Sequence, residues 1–232
     1  MKIIKNEKLI ERNGKIGNWI SLGALAVLAG GMYISFTHPE WFVYSLVCLV
    51  AGFMFTQIGM YMGNRWGRSP RRDEKIDAAM KGMHSEFSIY HYSTPASHLL
   101  VGPAGVWVIL PYQQAGIAYF EKNRWKIKGG GFMQGYMRIF GQEGIGRPDI
   151  EAETEISSVR KFFEKKLEGT TIPEIKSVMV FTNEQIEVEP GESPIPAMKL
   201  KDIKGFMREE SKNRKLTGAQ IQELSRVLEG QK

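Results

Sequence analysis

From Gly17 to Gly63 the chain carries a single formal charge, Glu40. No other feature limits the fold as severely, because so long an uncharged stretch has to be kept out of water. It divides at Thr37-His38-Pro39-Glu40 into GNWISLGALAVLAGGMYISF and WFVYSLVCLVAGFMFTQIGMYMG. Each half has about the 20 residues that a helix needs to cross roughly 30 Å of hydrocarbon. Pro39 and its polar neighbours stop the first helix and turn the chain, which predicts an antiparallel transmembrane hairpin over 17–63, with spans at 17–36 and 41–63. Trp19, Tyr33, Trp41 and Tyr61 stand near the span ends, where amphipathic rings favour the headgroup zone. The alternatives are a helical hairpin buried in a soluble core and a cleaved signal peptide. Two near-chargeless spans in succession are rare in a soluble core. Ala24-Leu25-Ala26 has the small residues of a cleavage site, but the apolar run before it is short and the run continues past it.

Charge sets the expected orientation. Lys2, Lys5, Lys8, Arg12 and Lys15 precede the first span, and Arg65, Arg68, Arg71, Arg72 and Lys75 follow the second, while the connecting loop has no Lys or Arg. By the positive-inside rule this is a multi-pass protein of the inner (cell) membrane with both termini cytoplasmic. Residues 1–16 then form a cytoplasmic N-terminal segment, 64–72 a basic juxtamembrane linker and 73–232 a cytoplasmic domain. The formal net charge is +6, yet residues 76–232 contain 21 Lys or Arg against 20 Asp or Glu. The basic excess therefore flanks the membrane and suits anionic lipid better than a nucleic-acid footprint, making the bilayer the first expected partner. Within the spans, Ala26 with Gly30 and Gly59 with Gly63 have a spacing that permits close helix contact, though chance also supplies it. Gln57 is expected to bond to the neighbouring helix. The one cysteine, Cys48, excludes a disulfide framework or a cysteine-based metal site within one chain.

The C-terminal region reads as α/β. RRDEKIDAAMKGM predicts a helix whose first turn carries Asp73 and Glu74, with Asp73, Glu74 and Asp77 either beside a relic pocket or, more simply, on a solvated face. EFSIYHY alternates as a strand, and HLLV and VWVIL form a hairpin around Gly102-Pro103-Ala104-Gly105, apolar on both faces and so central in a sheet. GIAYF and RWKIK make a second hairpin, and a glycine-rich loop is expected from Gly129 to Gly146. Asp149 is placed to cap a long amphipathic helix reaching Leu167, IKSVMVFT is a buried strand, and two short helices end the chain. Leu100, Val106, Val108, Phe163, Val178 and Val180 are expected to share one core between sheet and helix.

HLLVGPAGVWVI resembles the signature of the nuclease-related domain (NERD) family, in which an acid-bearing strand leads through VGPxGV into a strand ending E-x-K. The resemblance covers Asp73 to Phe181 and rests mostly on this one hairpin. It implies a restriction-endonuclease-like mixed sheet flanked by helices. It also implies a hydrolytic site in which two carboxylates hold a divalent metal and a lysine positions or activates water. Carried onto this chain, the first acid falls at Ser97 and the E-x-K pair at Leu110 and Tyr112. Leucine binds no hard cation, tyrosine is no cation at neutral pH, and Pro111 is expected to distort the strand end. The family's chemistry is therefore missing from its positions, and the resemblance points to a catalytically degenerate domain, with no catalytic residue, metal or cofactor, that binds or scaffolds at the membrane, a protein partner included.

Other residues keep two further classes open. Glu174-Ile175-Lys176 is an E-x-K, Asp202-Ile203-Lys204 a D-x-K, Pro148-Asp149 imitates the first half of the motif, and His98 adjoins the vanished acid. Any of these would be needed by an active nuclease with relocated groups. Arg124, Lys126 and Lys128 share one strand face at period two, as weak phosphate contacts to nucleic acid without cleavage would require, or as a solvated face over an apolar core would equally present.

Overall fold

The structure, a computed structural model, describes residues 1–129, 145–167 and 172–230. The expected glycine-rich loop falls mostly on 130–144, outside the described residues. The chain divides into two compact units, Glu7–Arg71 and the combination of Met1–Asn6 with Arg72–Lys232.

The first unit is a helical hairpin. α1 (Glu7–Thr37) and α2 (Phe42–Met62) are joined by a short 3-10 turn, Pro39–Trp41. Both helices are long and apolar enough to cross a membrane. Their contact surface is built from the smallest side chains. Gly17, Ala24 and Gly31 are buried on α1, and Gly52 and Gly59 on α2, each set recurring every seventh residue. Such a repeat keeps one seam facing the partner helix, and glycine lets the backbones approach. A β-carbon added at Gly17 would lie 2.7 Å from Met62 Cβ, one at Gly31 2.6 Å from Cys48 Cβ, and one at Gly52 2.5 Å from Leu28 Cγ. Ser45 Oγ donates across the seam to the Gly31 carbonyl at 3.0 Å, whereas Gln57, expected to make such a bond, is half-buried. Of the paired small residues singled out in the sequence, only Gly59 belongs to the seam. Gly30 and Gly63 have open space where a side chain would go. The opposite surface is apolar and exposed, with Trp19, Leu22, Leu25, Phe36 and Phe42 among its residues. The core helices of a soluble protein would bury these side chains, so their exposure points to association with a membrane.

The second unit is a mixed α/β domain. Its elements are α3 (Arg72–Ala79), β2 (Ser88–His91), β3 (His98–Gly102), β4 (Gly105–Tyr112), β5 (Gly116–Glu121), β6 (Arg124–Lys128), α4 (Pro148–Lys166), β7 (Ile175–Phe181), β8 (Ile186–Glu189), β9 (Ala197–Lys199), α5 (Ile203–Lys212) and α6 (Gly218–Glu229), with β1 (Lys2–Lys5) contributed from before the hairpin. Six strands form a mixed sheet in the order β1-β2-β3-β4-β7-β9, and β6-β5-β8 form a smaller one. The β3–β4 hairpin is central, as its two apolar faces predict, and β7 lies parallel to β4 over Val106 to Tyr112.

Because strand residues alternate between faces, the six residues expected in one core divide into two. Val106, Val108 and Phe163 belong to the cluster under α4 and α6, while Leu100, Val178 and Val180 belong to the cluster under α3 and α5. Lys2–Lys5 pairs parallel with β2 as an edge strand; four residues with lysine at each end are too short for periodicity to register. Two other expectations need correction. Asp149 is not the cap of α4. Arg147 holds that position without a side-chain bond, and Asp149 lies in the first turn, paired with Arg147 at 2.7 Å. Asp73 is fully buried rather than solvated.

Candidate functional site

Ser97, Leu110 and Tyr112, the positions singled out by the resemblance, lie at one end of the sheet. The β3–β4 register ends at Leu99 opposite Val108, and Ser97 lies just before β3, at the end of the sheet where β4 runs on to Leu110 and Tyr112. Val106, Val108, Leu110 and Tyr112 all join the cluster against α4, so the alternation that buries this strand also points Leu110 and Tyr112 the same way. Leu110 is packed in the core with 1 % exposure. Pro111 does not distort the strand: β4 runs through it to Tyr112, in register with Val180 and Phe181. Tyr112 turns its carbonyl toward β7, accepting from Thr182 N–H, so the position before it faces the β3 side, beyond the first residue of β3. Proline's missing N–H costs no ladder bond there.

Two carboxylates that the sequence did not single out lie at this end. Glu151 and Glu155 are one turn apart on α4. Tyr112 Oη donates to Glu151 Oε2 at 2.6 Å, and the Ser97 N–H donates to Glu155 Oε2 at 3.4 Å. Burial, then the charge of Glu151 and its hydrogen bond, with a smaller contribution from Glu155, hold the Tyr112 phenol far above its ordinary pKa. It therefore remains a proton donor. The available signal was the i, i+4 repeat of acids in DIEAETEISS beside buried Ala152 and Val159. Among the described residues no group of three or more His, Cys, Asp or Glu is arranged to hold a metal ion.

The remaining candidates do not join this cluster. His98 has the parity of Leu100 and so lies on the face toward α3, where it is 2 % exposed with Nδ1 2.7 Å from His91 Nδ1. Lys176 pairs in register with Trp107 near the start of β4, the far end from Tyr112. Its Nζ lies 3.5 Å from Glu174 Oε2 and 5.8 Å from the Trp107 ring centre. Asp202 ends a 3-10 turn, and Lys204 donates to the Lys81 carbonyl at 2.5 Å, so this pair belongs to the packing of α5 beside α3.

Arg124, Lys126 and Lys128 do alternate with the inward residues Trp125 and Ile127, but acids share their face. Arg124 pairs with Glu121, and the β5 neighbours of Lys126 and Lys128, Tyr119 and Ile117, pair on their other side with Glu189 and Glu187. Lys126 Nζ is 2.7 Å from Glu121 Oε2. Glu121 thus engages Lys126, and Glu187 and Glu189 stand on the same face two strands away, which weakens the attraction a phosphate backbone would meet.

No family model matches the chain, and neither a curated protein nor a solved structure matches it.

Proposed function

We propose that this protein is a membrane-anchored, catalytically degenerate member of the nuclease-related class that binds or scaffolds a partner at the inner membrane. Apart from the β5–β6 hairpin inserted between β4 and α4, the chain order α3, β2, β3, β4, α4, β7 is the one expected of a restriction-endonuclease-like core. The observation that carries the reading is the end of β4, where Leu110 is core and the Tyr112 hydroxyl is committed to Glu151. Without metal ligands there, phosphodiester hydrolysis loses the stabilisation of developing charge and the activated water on which it depends. A second reading, a nuclease with relocated groups, has one observation in its favour: Glu151 and Glu155 stand at that same end. Nucleic-acid binding without cleavage is disfavoured by the acids on the face around Lys126.

The purified full chain, incubated with linear, supercoiled and single-stranded substrates in Mg²⁺ and in Mn²⁺, should cleave none of them. Parallel samples carry Glu151→Gln with Glu155→Gln, His98→Ala, and Glu174→Ala with Lys176→Ala. Metal-dependent cleavage by the parent that disappears in any of these would overturn the degenerate reading and name the site.

The proposed topology, two spans with both termini cytoplasmic, has support besides the basic flanks. β1 precedes the apolar helices and pairs with β2, which follows them, so one sheet draws on residues from both ends of the hairpin. That agrees with an even number of crossings. Protease added to intact spheroplasts should leave the domain whole and cut it only after lysis. Cutting without lysis would reverse the orientation.

A further inference from the structure

At the end of the hairpin where α1 begins and α2 finishes, cations stand on the outer surface. Lys8, Arg12, Lys15, Trp19 and Leu22 recur at steps of three and four residues, which sets them along one face of α1, and all five are exposed. That face is turned away from the seam of Ile10, Gly14, Gly17 and Ala24. Along the axis it runs from three bases through one amphipathic ring to an aliphatic side chain. The same order leads from water through headgroups to hydrocarbon. Trp19 is 73 % exposed, so its ring packs on little of the protein. Lys15 lies about 6 Å and Arg12 about 10 Å from it along the axis. Their long stems bring both charges to a headgroup layer roughly 5–8 Å thick.

The close of α2 adds cations at the same level. After Met62 the chain makes one π-helical turn, Gly63–Gly67, and the Trp66 carbonyl oxygen lies 3.3 Å from where a β-carbon on Gly14 would stand. The turn therefore sits beside the part of α1 between Arg12 and Lys15. It carries Arg65 and leads into Arg68, which is exposed. The Arg65 guanidinium lies over the Trp66 ring, 5.2 Å from its centre, and donates to the Tyr61 hydroxyl at 2.8 Å. Over 7–15 and 63–71 together, six Lys or Arg stand against Glu7 and Glu11, a sum of +4. Among the described residues Lys8, Arg12, Lys15 and Arg68 enter no ion pair, with these glutamates or with any other acid. The opposite end of the hairpin has no Lys or Arg, and its His38 lies 3.0 Å from Glu40.

We propose that this collar binds the phosphates of anionic phospholipids in the leaflet at that end, with Arg12, Lys15 and Arg68 as the main contacts and Trp19 setting their depth. A zwitterionic headgroup brings its own ammonium beside the phosphate and cancels most of the attraction, whereas a net anionic headgroup does not. The guanidinium forks of Arg12 and Arg68 match phosphate oxygens in pairs, and Lys15 adds a point charge. Because the cations stand at one end only, the protein gathers anionic lipid in one leaflet. The inference rests on the reading of the hairpin as membrane-spanning.

Electron paramagnetic resonance tests it, on the full chain reconstituted in phosphatidylcholine bilayers with traces of spin-labelled phosphatidylglycerol or spin-labelled phosphatidylcholine. The motionally restricted fraction reports lipid held against the protein. The parent should hold the phosphatidylglycerol probe about threefold or more tightly than the phosphatidylcholine probe. That preference should shrink towards parity between about 0.01 M and about 1 M salt, as the Debye length falls from about 30 Å to about 3 Å. Arg12→Gln with Lys15→Gln and Arg68→Gln should abolish the preference while restricting as much phosphatidylcholine as the parent, which shows that the hairpin is still inserted. Lys161→Gln with Lys165→Gln and Lys166→Gln, an equal loss of charge from exposed positions on α4, should keep it. Equal binding of the two probes by the parent would overturn the proposal. So would a preference that survives in the collar variant, or one lost equally in both variants. A chain that restricts neither probe would overturn the membrane-spanning reading and the proposal with it.

Discussion

Replacing Val108 with aspartate should unfold the domain. Val108 has no exposure, lies on a central strand between Leu99 and Ser177, and faces the cluster that holds Phe163 and Val159. A carboxylate there would have no cation and no water. The effective cost of burying one lone charge is several kcal/mol, and protonating it instead still leaves a polar group without a partner. The whole stability of a domain is about 5–15 kcal/mol, so one such change removes a large part of it. Circular dichroism melts of the full chain in detergent would measure the effect. A Val108→Asp variant melting within a degree or two of the parent would show that this strand is not central.

Gly59→Ile should force α1 and α2 apart. A β-carbon at Gly59 would meet Ser21 Oγ well inside van der Waals contact and would stand 3.2 Å from the Ser21 Cα and N. The hydroxyl could rotate away, but the backbone of α1 could retreat only by moving the helix. Overpacking a filled contact costs about 1–3 kcal/mol, and a clash with backbone belongs at the upper end. Gly30→Ile is the matched control, since nothing lies within 4 Å of its β-carbon position. Spin labels at Leu22 and Ile58 in a Cys48→Ser background should report a longer and broader distance for Gly59→Ile and an unchanged one for Gly30→Ile. The same response from both would mean that the helices do not meet along the seam of Gly17, Ala24, Gly31, Gly52 and Gly59.

The contrast between those two glycines marks the limit of reading from spacing. The sequence offered Ala26 with Gly30 and Gly59 with Gly63, each four apart, yet the seam follows a seven-residue repeat in which one residue of those four takes part. Four-residue spacing places two residues on one helix face without saying which face meets the partner. That depends on how both helices turn about their axes, and the partner's side chains decide it.

Hydropathy and alternation by themselves determined the two apolar helices, the turn at Pro39, the central β3–β4 hairpin, the buried β7 and the amphipathic α4, because each of these patterns lies within one contiguous stretch. The tertiary structure alone decided the pairing of Lys2–Lys5 with β2 and the assembly of Lys5, Asp73, Asp77, His91 and His98 into one buried chain. It also brought Glu151 and Glu155 against Tyr112 and Ser97, and set glutamates beside Arg124, Lys126 and Lys128. Lysine and aspartate are read as solvated wherever the local pattern is polar. Asp73 is buried where a lysine from before the helical hairpin reaches it, and pairing of that kind, between residues remote in the chain, leaves no local period to read.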